Sequence, residues 1–200
     1  MGYFQLMKTL LTLFVLLFSS SVVADDISDL DIGGIRIGDS MLDYMTQQEI
    51  LDHMGKFVGY GAFSDDKYLK VPLFGNYNLE IQKNFDFVEI IFENHDRKFI
   101  VEGIWATIAF EDIQTCLNRQ EEFANGISYM FPNVKKIEKD NNIGGSMQYS
   151  VHYSFDTWFR KTGSTYANCH ENKENENLPY SFSVSINSAK LEKWFYSLDL

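Results

Sequence analysis

The chain has 200 residues, of which 28 are acidic and 17 are Lys or Arg, giving a formal net charge of −11 and a pI near 4.7. A field of that sign repels a phosphate backbone, so nucleic acid is a poor partner, and anionic membrane surfaces are disfavoured on the same ground. Acidity also has a plainer use: it keeps an exported protein soluble without any cationic ligand.

Met1 to Ala24 read as an export signal. Lys8 precedes a run from Leu10 to Phe18 that is apolar apart from Thr12, and Ser19 to Ser21 lead into Val22-Val23-Ala24. Small or modest residues at those last positions suit a signal peptidase, and Asp25-Asp26 mark the start of a solvated mature chain. The run is about half of the roughly 20 residues a spanning helix needs. The expectation is therefore a cleaved signal peptide over 1–24 and one domain over 25–200, periplasmic or secreted, with no stable membrane insertion after cleavage. Loss of Lys8 would take the net charge from −11 to −12.

Along the mature chain, Ile32 to Ile37 form a short apolar segment that ends at Gly38-Asp39, and Ser40 starts a turn or short helix through Tyr44. Thr46-Gln47-Gln48-Glu49 has the capping-box form and predicts a helix to about Met54, with Gly55 just past its end. From Tyr77 the period becomes two. Tyr77, Leu79 and Ile81 make a half-buried strand, Lys83 to Asp86 a turn, and Phe87–Phe92 a second strand. A third strand is expected over Phe99–Phe110, with Val101 and Trp105 on one side and Ile104, Ile108 and Phe110 on the other. Glu111-Asp112 then open the best helix of the chain. Its stripe of Ile113, Cys116, Leu117, Phe123, Ala124, Ile127 and Met130 ends before Pro132.

Asp140 to Gly145 read as a turn. Beyond it Met147, Tyr149, Val151, Tyr153 and Phe155 alternate with Gln148, Ser150, His152, Ser154 and Asp156. The run from His170 to Asn177 is an acidic, polar loop. Tyr180, Phe182, Val184 and Ile186 alternate with Ser181, Ser183 and Ser185, and Ser188 caps a final helix that carries Leu191, Trp194, Phe195 and Leu198 on one face. The sum is an α+β domain: an antiparallel sheet, made of a meander and a second set of strands, packed with two or three helices.

Cys116 and Cys169 are the only cysteines, and in an oxidising compartment an even pair is most simply a disulfide. Two buried thiols or one catalytic thiol are the alternatives. Against the last, Cys169 and His170 are adjacent, and on a strand they point to opposite faces.

Ile35-Arg36-Ile37-Gly38-Asp39-Ser40 resembles the nucleophile block of GDSL-type esterases, a resemblance that implies a serine nucleophile at Ser40. The Asp-x-x-His pair that family places near its C-terminus is missing here, and so are its repeated βα units. Gly-Asp-Ser is also an ordinary tight turn and helix cap. The longer stretch Gly34 to Tyr44, followed by Thr46-x-x-Glu49-Ile50, resembles the mature start of a family of small exported proteins of marine bacteria, and this resemblance implies no activity. The layout of a short apolar segment, a Gly turn and a capped helix is similar to BamE and β-lactamase-inhibitor-like modules, although the lipidated Cys of the former is lacking.

No metal or cofactor is expected. Asp140-x-Asn142-x-Gly144-Gly145 opens like a calcium loop, but its twelfth position is Val151 in place of Glu. His53, His95, His152 and His170 have no short-spaced ligand partner, although His152 and His170 could meet across neighbouring strands. The clustered aromatics Tyr149, Tyr153, Phe155, Trp158 and Phe159 suit a buried sheet face, with ligand stacking as the rival use. The leading expectation is a non-enzymatic exported protein that binds a protein or small ligand through its sheet face or acidic loops. A serine esterase using Ser40 is the alternative.

Overall fold

The alternation in the second half of the chain builds a seven-stranded antiparallel sheet in a computed structural model describing residues 26–56, 67–73, 84–143, 146–156, 161–172 and 180–198. A small hairpin comes first, β1 (Asp31–Ile32) with β2 (Ile35–Arg36). The large sheet contains β3 (Tyr68–Pro72), β4 (Phe87–Glu93), β5 (Gly103–Phe110), β6 (Lys135–Ile143), β7 (Ser146–Asp156), β8 (Lys161–Asn172) and β9 (Tyr180–Ser188), in the spatial order β3-β4-β5-β9-β8-β7-β6. The helices are α1 (Gln47–Lys56), α2 (Ile113–Met130) and α3 (Ala189–Phe195). The expected α+β class is what forms. After β5 the chain leaves through α2, restarts at the far edge with β6, and meanders back until β9 closes on β5.

Helix starts follow the side chains expected to cap them. Thr46 Oγ1 donates to Glu49 Oε2 at 2.7 Å and accepts from Glu49 N at 3.3 Å, while Thr46 N donates to the same carboxylate oxygen at 2.8 Å. The hydroxyl bond first, and the backbone bond after it, hold the Glu49 carboxyl below its usual range. Asp112 Oδ1 accepts from Thr115 N at 2.8 Å, and Ser188 Oγ accepts from Leu191 N at 3.1 Å. The first helix runs to Lys56, so Gly55 lies in its last turn rather than just beyond it.

One face of the sheet is packed. Val71, Val88, Ile90, Ile104, Ala106, Phe182, Val184, Ile186, Ala167, Val151, Tyr153 and Phe155 belong to one buried cluster with Cys116, Ala124 and Ile127 of α2 and with Ile27, Ile32, Ile35, Met41 and Ile50 of the N-terminal segment. Polar links fasten α2 to the strands beneath. Gln120 Nε2 donates to Tyr149 O at 2.7 Å and to Ala167 O at 2.8 Å, and Tyr153 Oη donates to Ala124 O at 2.8 Å. The sulfurs of Cys116 and Cys169 stand at bonding distance, 2.14 Å, with their Cα atoms 5.8 Å apart, so the expected pair staples α2 to β8.

On the opposite face, among the described residues, only α3 is laid down. Its Leu191 and Trp194 pack against Tyr68 and Ile91, with the Trp194 and Tyr68 ring centroids 4.9 Å apart. Gly103 permits the close approach, because a Cβ there would come within 2.6 Å of Leu191 Cδ2. Lys190 ties the helix down through Glu93 at 2.7 Å and Glu102 at 3.1 Å, and these bonds raise its already high pKa further.

Two further sequence expectations need correction. The strand expected from Phe99 begins at Gly103. His95 and Phe99 adopt positive φ, 66° and 49°, and Asp96 accepts from Lys98 N and Ile100 N, which bends the segment. Asp140 to Ile143 are not a turn but the end of β6, paired in register with residues 146–149. Three strands, β3, β6 and β8, carry too little apolar alternation to be read. The leader 1–24, the strand at Tyr77–Gln82, Gly144-Gly145, Trp158, Phe159 and 173–177 of the acidic loop lie outside the described residues.

Candidate ligand-binding face

Strand pairing places residues of the uncovered face into rows that cross five strands from β5 to β6. The row nearest α3 reads Trp105, Ser185, Tyr166, His152, Ile137. The next reads Thr107, Ser183, Asn168, Ser150, Lys139, and the third Ala109, Ser181, His170, Gln148, Asn141. Every one of these residues is exposed or half-buried, whereas Ala106, Val184, Ala167 and Val151, their neighbours pointing the other way, are buried. Between β5 and β6 the rows contain no acid, but the first continues across β4 onto Glu89, the pairing partner of Trp105.

The first row is aromatic. Trp105 is 39% exposed, and Lys70 Nζ sits 5.1 Å from its ring centroid, a cation–π arrangement. Tyr166 and His152 stack face to face with centroids 4.1 Å apart and planes 1° from parallel. Tyr166 is fixed from above by α3, since its hydroxyl donates to Glu192 Oε1 at 3.2 Å and Ser164 Oγ donates to the same oxygen. Burial holds the Tyr166 phenol well above its usual range, with the Glu192 charge adding to the effect, so Tyr166 is neutral and donating. Beside Trp105, burial pushes the Glu89 carboxyl upward, opposed by the Lys70 ammonium. With neighbouring strands about 4.8 Å apart, Trp105 and Tyr166 rise from the sheet about 10 Å from each other, with Ser185 between them.

Chemically this is a platform of hydroxyls and amides that both donate and accept, bordered by ring faces, lysines and α3. A concavity of about 690 Å³ is lined by Lys190, Glu192, Lys193 and Tyr196 at α3, and one of about 290 Å³ lies on the packed side, between the β1–β2 hairpin and α2. Arg119 at its rim is already paired with Glu122 at 3.0 Å.

Ser40 has a structural position. Its Oγ donates to Lys98 O at 2.6 Å and accepts from Leu42 N at 3.2 Å, capping the short 3-10 helix Met41–Asp43. Gly38 takes φ 93°, and Asp39 Oδ2 accepts from Arg36 N and from Tyr44 Oη at 2.9 and 2.6 Å. Burial and the Asp39 bond push the Tyr44 phenol up to about 12. Both Ser40 bonds go to backbone, and the Gly-Asp-Ser block works here as a turn locked onto the β4–β5 connection.

His152 and His170 share the open face but do not meet. His152 pairs with Tyr166 while His170 pairs with Gln148. At the usual strand rise that offset along β7 is about 13 Å. His53 is buried on α1 with Nδ1 at 3.1 Å from Pro72 O. Asp140 and Asn142 lie in β6, extended, rather than in a calcium loop. Among the described residues no three His, Cys, Asp or Glu side chains gather as a metal site, and no helix is long and apolar enough to cross a membrane.

The sequence alone puts Ser150, His152, Ser181, Ser183 and Ser185 on the polar sides of their strands, and the structure has them there. It leaves out Tyr166 and Lys139, because β8 and β6 go unread, and it takes Trp105 for part of a strand apolar on both sides. The alternation of Thr165, Ala167 and Cys169 with Tyr166, Asn168 and His170 is the available signal. No protein-family model, curated protein or solved structure gives a significant match to the chain.

Proposed function

We propose that this chain is an exported, non-enzymatic binding protein whose open sheet face receives its ligand. The observation that carries the reading is the asymmetry of the sheet: one face is sealed by α2 and the N-terminal segment, while three rows of the other stay solvent-accessible. A surface serving only solubility would carry the acids found elsewhere on this chain. These rows hold rings, hydroxyls and amides instead. Export is supported by the leader pattern of residues 1–24, and the Cys116–Cys169 pair is compatible with an oxidising compartment.

The test is retention of envelope components on the immobilised, exported protein. Ser183→Arg, a bulky charge in the middle of the platform, should abolish retention, whereas Leu42→Arg, exposed elsewhere, should leave it intact. Equal retention by the two variants would remove the sheet face from the function. Intact mass of the exported protein should correspond to a chain that begins at Asp25.

A further inference from the structure

We propose that the concavity between the β1–β2 hairpin and α2 binds a free amino acid with a large apolar side chain, at a second site that is independent of the open face. It lies where the two covers of the packed side leave a gap, and its floor is apolar. Phe182 and Val184 of β9 and Ile32 of β1 are buried there, and the half-buried rings of Phe85 and Phe123 stand beside them. Phe123 meets Phe182 edge to face with centroids 6.2 Å apart. An apolar side chain laid on these rings removes their remaining surface from water.

The rim carries both signs of charge. Arg119 and Glu122 are neighbours on one face of α2, with Arg119 Nη1 3.0 Å from Glu122 Oε2, and Asp31 stands on the hairpin wall. An α-amino acid holds its ammonium and its carboxylate on a single carbon, so it engages a cation and an anion only where those are adjacent. Arg119 and Glu122 meet that condition. Each also keeps bonding capacity. A guanidinium has five N–H donors, and among the described residues Arg119 meets Glu122 through Nη1 alone, while Glu122 Oε1 takes no hydrogen bond. Their side chains are 54% and 68% exposed, so their mutual attraction is weak and a ligand that inserts its own charges between them displaces little. Asp31 is committed elsewhere: it accepts from Gly34 N at 2.9 Å and faces Arg36 at 4.0 Å, which leaves the ligand's charges to α2.

Charge and size select among ligands. A bare anion meets a chain of net charge −11 and two carboxylates at the rim, and a bare amine meets the Arg119 guanidinium. A zwitterion adds no net charge and is complementary to both partners. The volume of about 290 Å³ lies at the small end of the range for ligand pockets, about 300–1,000 Å³, which fits one amino acid and excludes a polymer.

The experiment is calorimetric titration of the exported protein with L-phenylalanine and L-leucine. The controls are phenethylamine (no carboxylate), 3-phenylpropionate (no ammonium), glycine (no side chain) and N-acetyl-phenylalaninamide (side chain without charges). At least one of the two amino acids should bind, and each control should be weaker by about tenfold or more, because it leaves a charged group or the ring floor without a partner. Arg119→Gln should lower L-phenylalanine to the level of phenethylamine without weakening phenethylamine itself, and Glu122→Gln should lower it to the level of 3-phenylpropionate. Both side chains are exposed, so the thermal midpoint of the unliganded variants should change little. Ser183→Arg, on the other side of the sheet, should leave the affinity unchanged. Absence of binding by both amino acids at millimolar concentration, a control that binds as tightly, unchanged affinity in either α2 variant, or loss of affinity in Ser183→Arg would overturn the proposal. None of these results touches envelope retention by the open face, so the two readings fall separately.

Discussion

The two faces of the large sheet are written by the same strands and obey opposite rules. Phe182 and Ser183 are neighbours on β9, yet Phe182 is sealed in the main cluster beside Phe123, while Ser183 looks out from the centre of the platform. The packed face is a stability device: it is continuous and apolar, and it is stapled to α2. The open face is buried only where α3 packs on it, and the three rows beyond keep exposed or half-buried side chains.

Substitutions that sample both sides should expose that difference. Removing both sulfurs (Cys116→Ala with Cys169→Ala) releases a crosslink of sequence separation 53 and should cost about 4 kcal/mol on the chain-entropy account, read by urea denaturation of oxidised and variant protein. A loss near zero would mean α2 is held by packing alone. Phe182→Ala should cost about 3–4 kcal/mol, whereas Ser183→Ala one residue away should stay within about 0.5 kcal/mol. Equal costs would show that the open face is covered in solution. Ser188→Ala deletes the cap of α3 and its bond to Glu102, for a loss of about 1 kcal/mol in the same assay.

Glu89→Gln should give the smallest change and the most informative sign. Burial raises the folded-state pKa of Glu89, so the neutral form favours folding. The wild-type benefit is full below the unfolded value of about 4.3 and is lost as pH rises through the folded value. Gln, always neutral, should therefore raise the thermal midpoint at neutral and alkaline pH and leave it unchanged below about pH 4. A midpoint lowered at neutral pH would instead assign Glu89 a favourable partner in Lys70.

How far these features are legible depends on how local their causes are. Capping by Thr46, Asp112 and Ser188 needs only side chains a few positions from the amides they serve, and all three helix starts can be read. So can the orientation of β7 and β9, where every second residue is apolar. The strand β6, Lys-Lys-Ile-Glu-Lys-Asp-Asn-Asn-Ile, cannot be read, because an edge strand protected by charge has no apolar face to display. The register of β8 is visible only weakly, since its packed side is Thr165, Ala167 and Cys169, small residues that let α2 come close.

Ser40 shows the converse, a motif legible in sequence whose meaning lies in distant contacts. Gly-Asp-Ser is legible as a tight turn and helix cap, with a nucleophile block as the rival, whereas the bond from its hydroxyl to Lys98 O comes from a residue 58 positions away.

By itself the amino-acid sequence determined the class of fold, the helix starts, the side to which each clearly alternating residue points, and which two cysteines could be joined, because each follows from spacing along the chain or from composition. Tertiary structure alone decided that Trp105, Ser185, Tyr166 and His152 form one row, and that α3 covers only one margin of their face. Such neighbours come from strands far apart in the chain, and their register is chosen by the packing of the opposite face, which no local pattern records.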